Sequence, residues 1–371
     1  MIDPMKKTEK NDNLFFAYSG CRTTRERNAT GKGINVFLFN TENGCLDKIQ
    51  EVPAVNPSYL ILDQRQKFLY SVHGDMTSVS AFAIDPDSGS LTFINTQDTG
   101  GSNPVHLTFD ASGRFLIVAN YATGSLAVFP VASDGSLEAL VELTTLTGTP
   151  GPHKKEQTHS HPHQVQMDPS QTWIITPDKG LDAIFIHRLD RSRATLVASE
   201  HSPVRTRAGA GPRHIAFHPS MPFGYVANEL DSTVTTYRFD ASSGALVPLQ
   251  ILTTLPEDFF GDSTTAAIFT SSDGRHLYVS NRGHDSLCIF AVNQKTGLLV
   301  HKGWQSSYGD YVRFFTLDPT NRWLLAANER SHSIVPFRIN GNTGGLQRQG
   351  TMVSTGSPVC LVFKTPERFR T

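Results

Sequence analysis

A unit of roughly 50 residues recurs along this chain, and a repeat of that length restricts the fold before any single residue is considered. "NPSYLILDQRQKFLYSVHGDMTSVSAFAI" begins at 56, "NPVHLTFDASGRFLIVANYATGSLAVF" spans 103–129, and "GPRHIAFHPSMPFGYVANELDSTVTTYRF" begins at 211. Further copies begin at 264 ("TTAAIFTSSDGRHLYVSNRGHDSLCIFAV") and 311 ("YVRFFTLDPTNRWLLAANERSHSIVPFRI"). A weaker copy, "HQVQMDPSQTWIITPDKGLDAIFIHRL", begins at 163. Each unit holds short apolar runs rich in Val, Ile, Phe and Tyr, separated by Asp, Ser, Gly and Pro turns, which is strand patterning. No apolar stripe of helical period persists. Asn120, Asn228, Asn281 and Asn328 mark successive units, the first interval covering two of them. Four strands per unit at this period describe a β-propeller.

Six units are explicit, and the two ends of the chain supply a seventh. "SPVCLVF" at 357–363 reads as a first strand with no second, and "LFFAYSG" at 14–20 as a second strand with no first. Pairing them closes the ring and removes exposed strand edges. The expectation is an all-β, seven-bladed propeller of four-stranded antiparallel blades. It forms a single domain over 14–365, preceded by a disordered polar tail over 1–13.

The charge balance, 33 Lys and Arg against 34 Asp and Glu, carries no footprint for nucleic acid. No run approaches the ~20 apolar residues that cross a bilayer, so no membrane partner is expected. Cys21, Cys45, Cys288 and Cys360 are far apart and form no C-x-x-C pair. Reduced thiols and a cytoplasmic location follow as the expectation. No pattern in the repeat specifies an oligomeric state.

In a propeller blade the first strand lines the channel and the second returns beside it. The start of the first and the end of the second therefore share one face. That topology gathers Arg213, His214, Asn228 and Glu229 of one unit with Asn281 and Arg282 of the next. Arg313, Asn328 and Glu329 of the one after join them, and His163 begins the strand of the preceding unit. A concave mouth carrying several cations and carboxylates is a candidate site. His163, Arg213, Glu229 and Arg282 are the candidate catalytic residues. His214, Arg313, Asn228 and Asn281 are candidate substrate contacts, although asparagines at repeated turns also serve as caps. Glu329 has Arg313 or Arg330 as an ion-pair partner, a structural alternative to chemistry.

The longest departure from the repeat is "TGTPGPHKKEQTHSHPH", 147–163, which leads into the mouth. Its preferred reading is a lid that delivers His163. His159, His161 and His163 alternate, so an extended chain would align three imidazoles for zinc. No carboxylate or cysteine completes a recognised spacing, and the expectation is no metal and no cofactor.

"HPHQVQMDP", "GAGPRHIAFHP", "YVANELDSTV", "DGRHLYVSNRGHDSLCIF" and the closing "PVC" together resemble the propeller lactonase family, of 6-phosphogluconolactonase and carboxy-cis,cis-muconate cyclase type. The resemblance runs from about 14 to 363. It implies active-site roles for the histidine of the "HQV" strand, His163, the arginine of "GPRH", Arg213, the glutamate of "NE", Glu229, and the arginine of "SNRGHDS", Arg282. It further implies a small anionic lactone as substrate, with hydrolysis of 6-phosphogluconolactone as the lead expectation. Here Arg213 and Arg282 would steady the oxyanion, and His163, or Glu229 if burial raised its pKa, would serve as base. Arg313 and Arg22 or Arg25 are candidates for a phosphate anchor. A muconate cycloisomerase and a non-catalytic interaction propeller are the alternatives.

Overall fold

The computed structural model describes residues 13–364. Within them the chain forms seven antiparallel sheets. The expected tail over 1–13 lies outside the described residues except for Asn13, whose carbonyl accepts a 2.8 Å hydrogen bond from Thr41 N. The single helical element among the described residues is a 3-10 turn, Arg25–Arg27.

Blade one contains Leu14–Cys21, Gly33–Asn40 and Cys45–Pro53, and its innermost strand is the C-terminal Pro358–Lys364. Ser19 pairs with Leu361 and Ala17 with Phe363, so the first and last strands close the ring in the expected manner. The inner strands of blades two to seven are Pro57–Leu62, Pro104–Phe109, Gln166–Met167, Pro212–Phe217, Thr264–Thr270 and Val312–Leu317. In blades four and seven the outermost position is shared by two short strands. Thr195–Ala198 and Val204–Arg205 both pair with Ala183–Asp190, and Leu346–Arg348 and Val353–Ser354 both pair with Ser333–Ile339. The faint copy in the sequence is blade four, where the inner strand shrinks to two residues.

The second and third strands are buried on both faces, as in Phe115–Asn120, because neighbouring blades pack on each side. The outermost strands alternate, as in Cys45–Pro53, because only one face meets a neighbour. Core clusters therefore run between blades: Trp323 and Phe337 of blade seven pack with Phe39 and Phe363 of blade one.

A repeated staple joins adjacent blades. The second-strand tyrosines Tyr18, Tyr70, Tyr225 and Tyr278 donate to the carbonyls of Gly89, Gly135, Gly297 and Gly344 in the following blade, at 2.8 to 3.0 Å. Those glycines end the D-x-x-S-G-x-L turns. Gly297 adopts φ of 69°, and a Cβ there would lie 2.4 Å from the Phe223 ring of the preceding blade. Both facts explain the glycine.

Candidate active site

The mouth is built from two concentric rings of equivalent positions. The first arises from an irregularity repeated at the entrance of every inner strand, where pairing skips a residue. The ladder passes from Pro57 to Tyr59, from Pro104 to His106, from Pro212 to His214 and from Val312 to Phe314. The skipped residues are Ser58, Val105, Arg213 and Arg313. In the closing blade Pro358 and Cys360 pair and Val359 is skipped, and in blade six the slip falls between Thr265 and Ile268. His163 occupies this place in blade four, following the Pro162–Asp178 bridge. A bulge frees its extra residue from the ladder and re-aims the side chain. That is why cationic groups stand at the opening of strands otherwise written in apolar residues.

The second ring lies at the exit of each second strand: the residue after the last position paired with the inner strand or, in blade six, that last paired position itself, where Arg282 faces Thr264. It reads Arg22, Gly74, Tyr121, Lys179, Glu229, Arg282 and Glu329 around the circle. Most are fixed by a backbone bond to the neighbouring inner segment: Lys179 N donates to His161 O (3.0 Å), Glu229 N to Gly211 O (2.7 Å) and Glu329 N to Tyr311 O (3.0 Å).

Glu229 is the hub where these rings meet. Its Oε2 lies 2.9 Å from Arg213 Nε and 3.1 Å from Arg282 Nη2, and its Oε1 lies 3.1 Å from Lys179 Nζ. All four side chains are buried. Burial pushes the Glu229 carboxyl up, but Arg282, Lys179 and Arg213 overcome it and hold the group well below the usual carboxylate range. Glu229 is thereby held toward its ionised form among three cations, which favours the orienting of its arginines over the action of a base raised by burial. Burial and Arg282 draw Arg213 down to about 9, with Glu229 opposing them, so the guanidinium stays cationic at neutral pH. Arg213 Nη1 also donates to Ala266 O (2.5 Å) and Arg282 Nη2 to Thr265 O (2.9 Å), which fixes both forks.

His163 and Arg213 line one cavity with Arg313, His214, Ser58 and Arg22. The rings of His163 and His214 meet edge to face at 5.2 Å, and His106 meets His214 at 5.6 Å. His163 is buried, and burial followed by repulsion from Arg213 holds its pKa well below the ordinary value. At neutral pH the imidazole is thus in its proton-accepting form. His163 Nδ1 and Ser58 Oγ have no hydrogen-bond partner among the described residues. Such buried orphan atoms invite a polar ligand.

The structure gathers His163, Arg213, Glu229, Arg282, His214 and Arg313 around this mouth. Asn228 and Asn281 are tied by their side chains into adjoining turns, the capping role that repeated asparagines also fill. Asn228 Nδ2 donates to Thr233 Oγ1 (2.9 Å) and Thr235 Oγ1 (3.0 Å), while Asn281 Nδ2 donates to Thr254 O (2.8 Å). Asn228 is the last ladder residue of its strand, and Asn281 stands one position before the last, Arg282. Sequence reasoning missed Lys179, His106 and Ser58. The "TPDKG" departure was the signal for Lys179, because its lysine stands where other units place Glu229 and Arg282.

The 147–163 segment is seated on the mouth, but not as an extended strand. His159 Nε2 contacts Ala122 O (2.8 Å), and His161 Nδ1 contacts Tyr121 O (3.0 Å) while its ring stacks on Tyr121. Only His163 turns toward the channel. Glu156 pairs with Lys179 Nζ at 2.7 Å, tying the segment to the Glu229 hub. Among the described residues no group of three or more His, Cys, Asp and Glu is arranged to hold a metal ion. Nor is any helix among them long and apolar enough to cross a membrane.

Residues 16–363 match the family model described as lactonase, 7-bladed beta-propeller. The 6-phosphogluconolactonase of Bacillus subtilis is 35% identical over 335 residues, covering 90% of this chain and 94% of that protein. A crystal structure of a Bacteroides fragilis protein superposes with a TM-score of 0.89 at 31% identity, covering 98% of this chain and 100% of the other. The structure titled the periplasmic gluconolactonase of Pseudomonas aeruginosa gives a TM-score of 0.88 at 30% identity, covering 95% and 99%.

Proposed function

The chain belongs to the lactonase family of seven-bladed β-propellers, and on that premise we propose that it hydrolyses a sugar lactone at the mouth of its channel, without a metal, 6-phosphogluconolactone to 6-phosphogluconate being the favoured reaction. What supports this reading is that His163 and Arg213 line one cavity, with the Arg213 fork held by Glu229 and tied through it to Arg282. In the reaction a water oxygen bonds to the lactone carbonyl carbon while His163 takes its proton. The carbonyl oxygen becomes an oxyanion facing Arg213, with Arg282 reinforcing the positive field. Collapse breaks the ring C–O bond, and the proton held by His163 passes to the departing ring oxygen, leaving a hydroxyl and a carboxylic acid that releases its remaining proton to solvent as it becomes the carboxylate. A lactone is an activated ester, so one base and one preorganised cation pair are sufficient machinery. Cys21, Cys45, Cys288 and Cys360 are free thiols, which supports a cytoplasmic setting for this chemistry.

Acid release from 6-phosphogluconolactone, measured above the spontaneous rate with a chelator present, is the test. Acceleration that survives chelation is expected. No acceleration, or ultraviolet change on carboxymuconate instead, moves the assignment away from sugar-lactone hydrolysis.

A further inference from the structure

The cavity has two unlike sides. His163, Arg213, Glu229 and Arg282 come from blades four, five and six. Arg22, Ser58 and Arg313 come from blades one, two and seven, on the opposite arc of the wheel, yet all three line the same cavity as His163 and Arg213. Arg22 is 2% exposed. Its Nη1 is held by Asp75 Oδ2 at 3.1 Å, and Asp75 also pairs with Arg27. Its buried Nε, however, has no partner among the described residues, and neither has the buried hydroxyl of Ser58. Arg313 reaches no closer hydrogen-bond or ion-pair partner among them than Glu329 Oε2, 3.8 Å away.

The close approach of Arg22 and Ser58 depends on a glycine. Gly74 occupies the second-ring position that elsewhere carries Tyr121, Lys179, Glu229 or Arg282. A Cβ on Gly74 would stand 2.3 Å from Arg22 Nη1 and 2.7 Å from Ser58 Oγ. Repulsion between Arg22 and Arg313 is strong enough to reinforce burial in drawing Arg22 down to about 10, which still leaves it cationic at neutral pH. A buried guanidinium, Arg22, and a half-buried one, Arg313, facing one cavity repel each other unless an anion joins them. Hydrogen-bond donors on three different blades suit the several outward oxygens of a tetrahedral oxyanion better than a planar carboxylate.

We infer that Arg22, Ser58 and Arg313 form a receptor for the phosphate group of the substrate, which sets the ring carbonyl against His163 and Arg213 and selects phosphorylated over unphosphorylated sugar lactones. This inference rests on the lactonase reading for its substrate, but not for its binding site. Phosphate binding held at the far arc would orient the lactone and contribute to turnover as well as affinity.

The test compares a 6-phosphorylated aldonolactone with the same lactone lacking phosphate, in wild type, Arg313→Gln and Ser58→Ala, alongside calorimetric titration with inorganic phosphate. Arg313 is partly exposed and weakly paired, so its substitution leaves the buried Arg22–Asp75 contact in place. The ratio of kcat/KM for the two lactones is expected to fall at least about tenfold in Arg313→Gln and a few-fold in Ser58→Ala, with weakened phosphate binding in both. An equal loss on both lactones, or phosphate binding indifferent to both substitutions, overturns the receptor. If neither lactone is turned over but phosphate binding still depends on Arg313 and Ser58, the receptor stands and the hydrolytic reading fails. If both lactones are turned over equally well by wild type, hydrolysis stands and the receptor fails.

Discussion

A carboxylate that anchors three cations behaves differently from a catalytic base, and Glu229 is the residue on which that distinction turns. Its oxygens are occupied by Lys179, Arg213 and Arg282. Glu229→Gln leaves those three cations buried together without their counter-charge, and breaking a buried pair in this way costs about 3–5 kcal/mol. A lowered denaturation midpoint together with lost turnover is expected, whereas a base would lose turnover at unchanged stability. Arg213→Ala is expected to cut kcat/KM at least about tenfold with the fold retained, because it removes the charge that faces the oxyanion. The pH profile belongs to His163. Its pKa is lowered from 6.5, so the proton-accepting form predominates above that lowered value and is lost as pH falls through it. The acid limb of kcat/KM should therefore lie well below pH 6.5, and a limb at or above that value would remove His163 as the base. Arg213 and His163 were legible in the sequence because a charged residue at a strand entrance violates strand patterning. His106 and Ser58 were not, since a lone histidine or serine in "NPVHLTF" or "NPSYLIL" is unremarkable until the bulge shows which way it faces.

The elements that matter most are the turns and the inserted segment, not the strands. The D-x-x-S-G-x-L motif was visible as punctuation, but its purpose depends on the next blade. Its glycine carbonyl accepts a tyrosine hydroxyl across the blade interface, as Tyr225 does to Gly297 at 3.0 Å. Tyr225→Phe should cost about 0.5–1.5 kcal/mol in chemical denaturation, the net value of one such bond. The insertion is clamped more tightly than its loop composition suggests. A Cβ on Gly180 would come 1.7 Å from His159 O. Gly180→Ala should therefore lift 147–163 from the mouth, making it sensitive to brief proteolysis and lowering turnover while the blades stay intact. An unchanged digestion pattern would show that the segment has room to adjust. Six blades came from period and spacing and the seventh from matching the two chain ends, while the lid conformation escaped because alternation of His159, His161 and His163 would align the imidazoles only in an extended chain. Backbone carbonyls of Tyr121 and Ala122 capture the first two imidazoles instead.

At the scale of the whole molecule, the site exists only because the ring is closed. Arg22 follows the strand Leu14–Cys21, whose inner neighbour is the C-terminal strand Pro358–Lys364, and Val359 of that strand lines the cavity. Val359, Leu361 and Phe363 are buried there. Each apolar side chain of this kind contributes roughly 1.5–3 kcal/mol, and the three together are comparable with a large part of the about 5–15 kcal/mol that holds a typical domain folded. Ending the chain at Gly356 should therefore do more than fray an edge. It exposes the inner face of blade one, uncouples blade one from blade two, and removes the wall beside Arg22. The expected outcome is a broad, non-cooperative thermal transition with no lactone turnover, and partial recovery of both when a peptide spanning 357–364 is supplied in trans. A truncated chain that keeps a sharp transition and full activity would mean that the six remaining inner strands can hold the cavity in shape without the seventh.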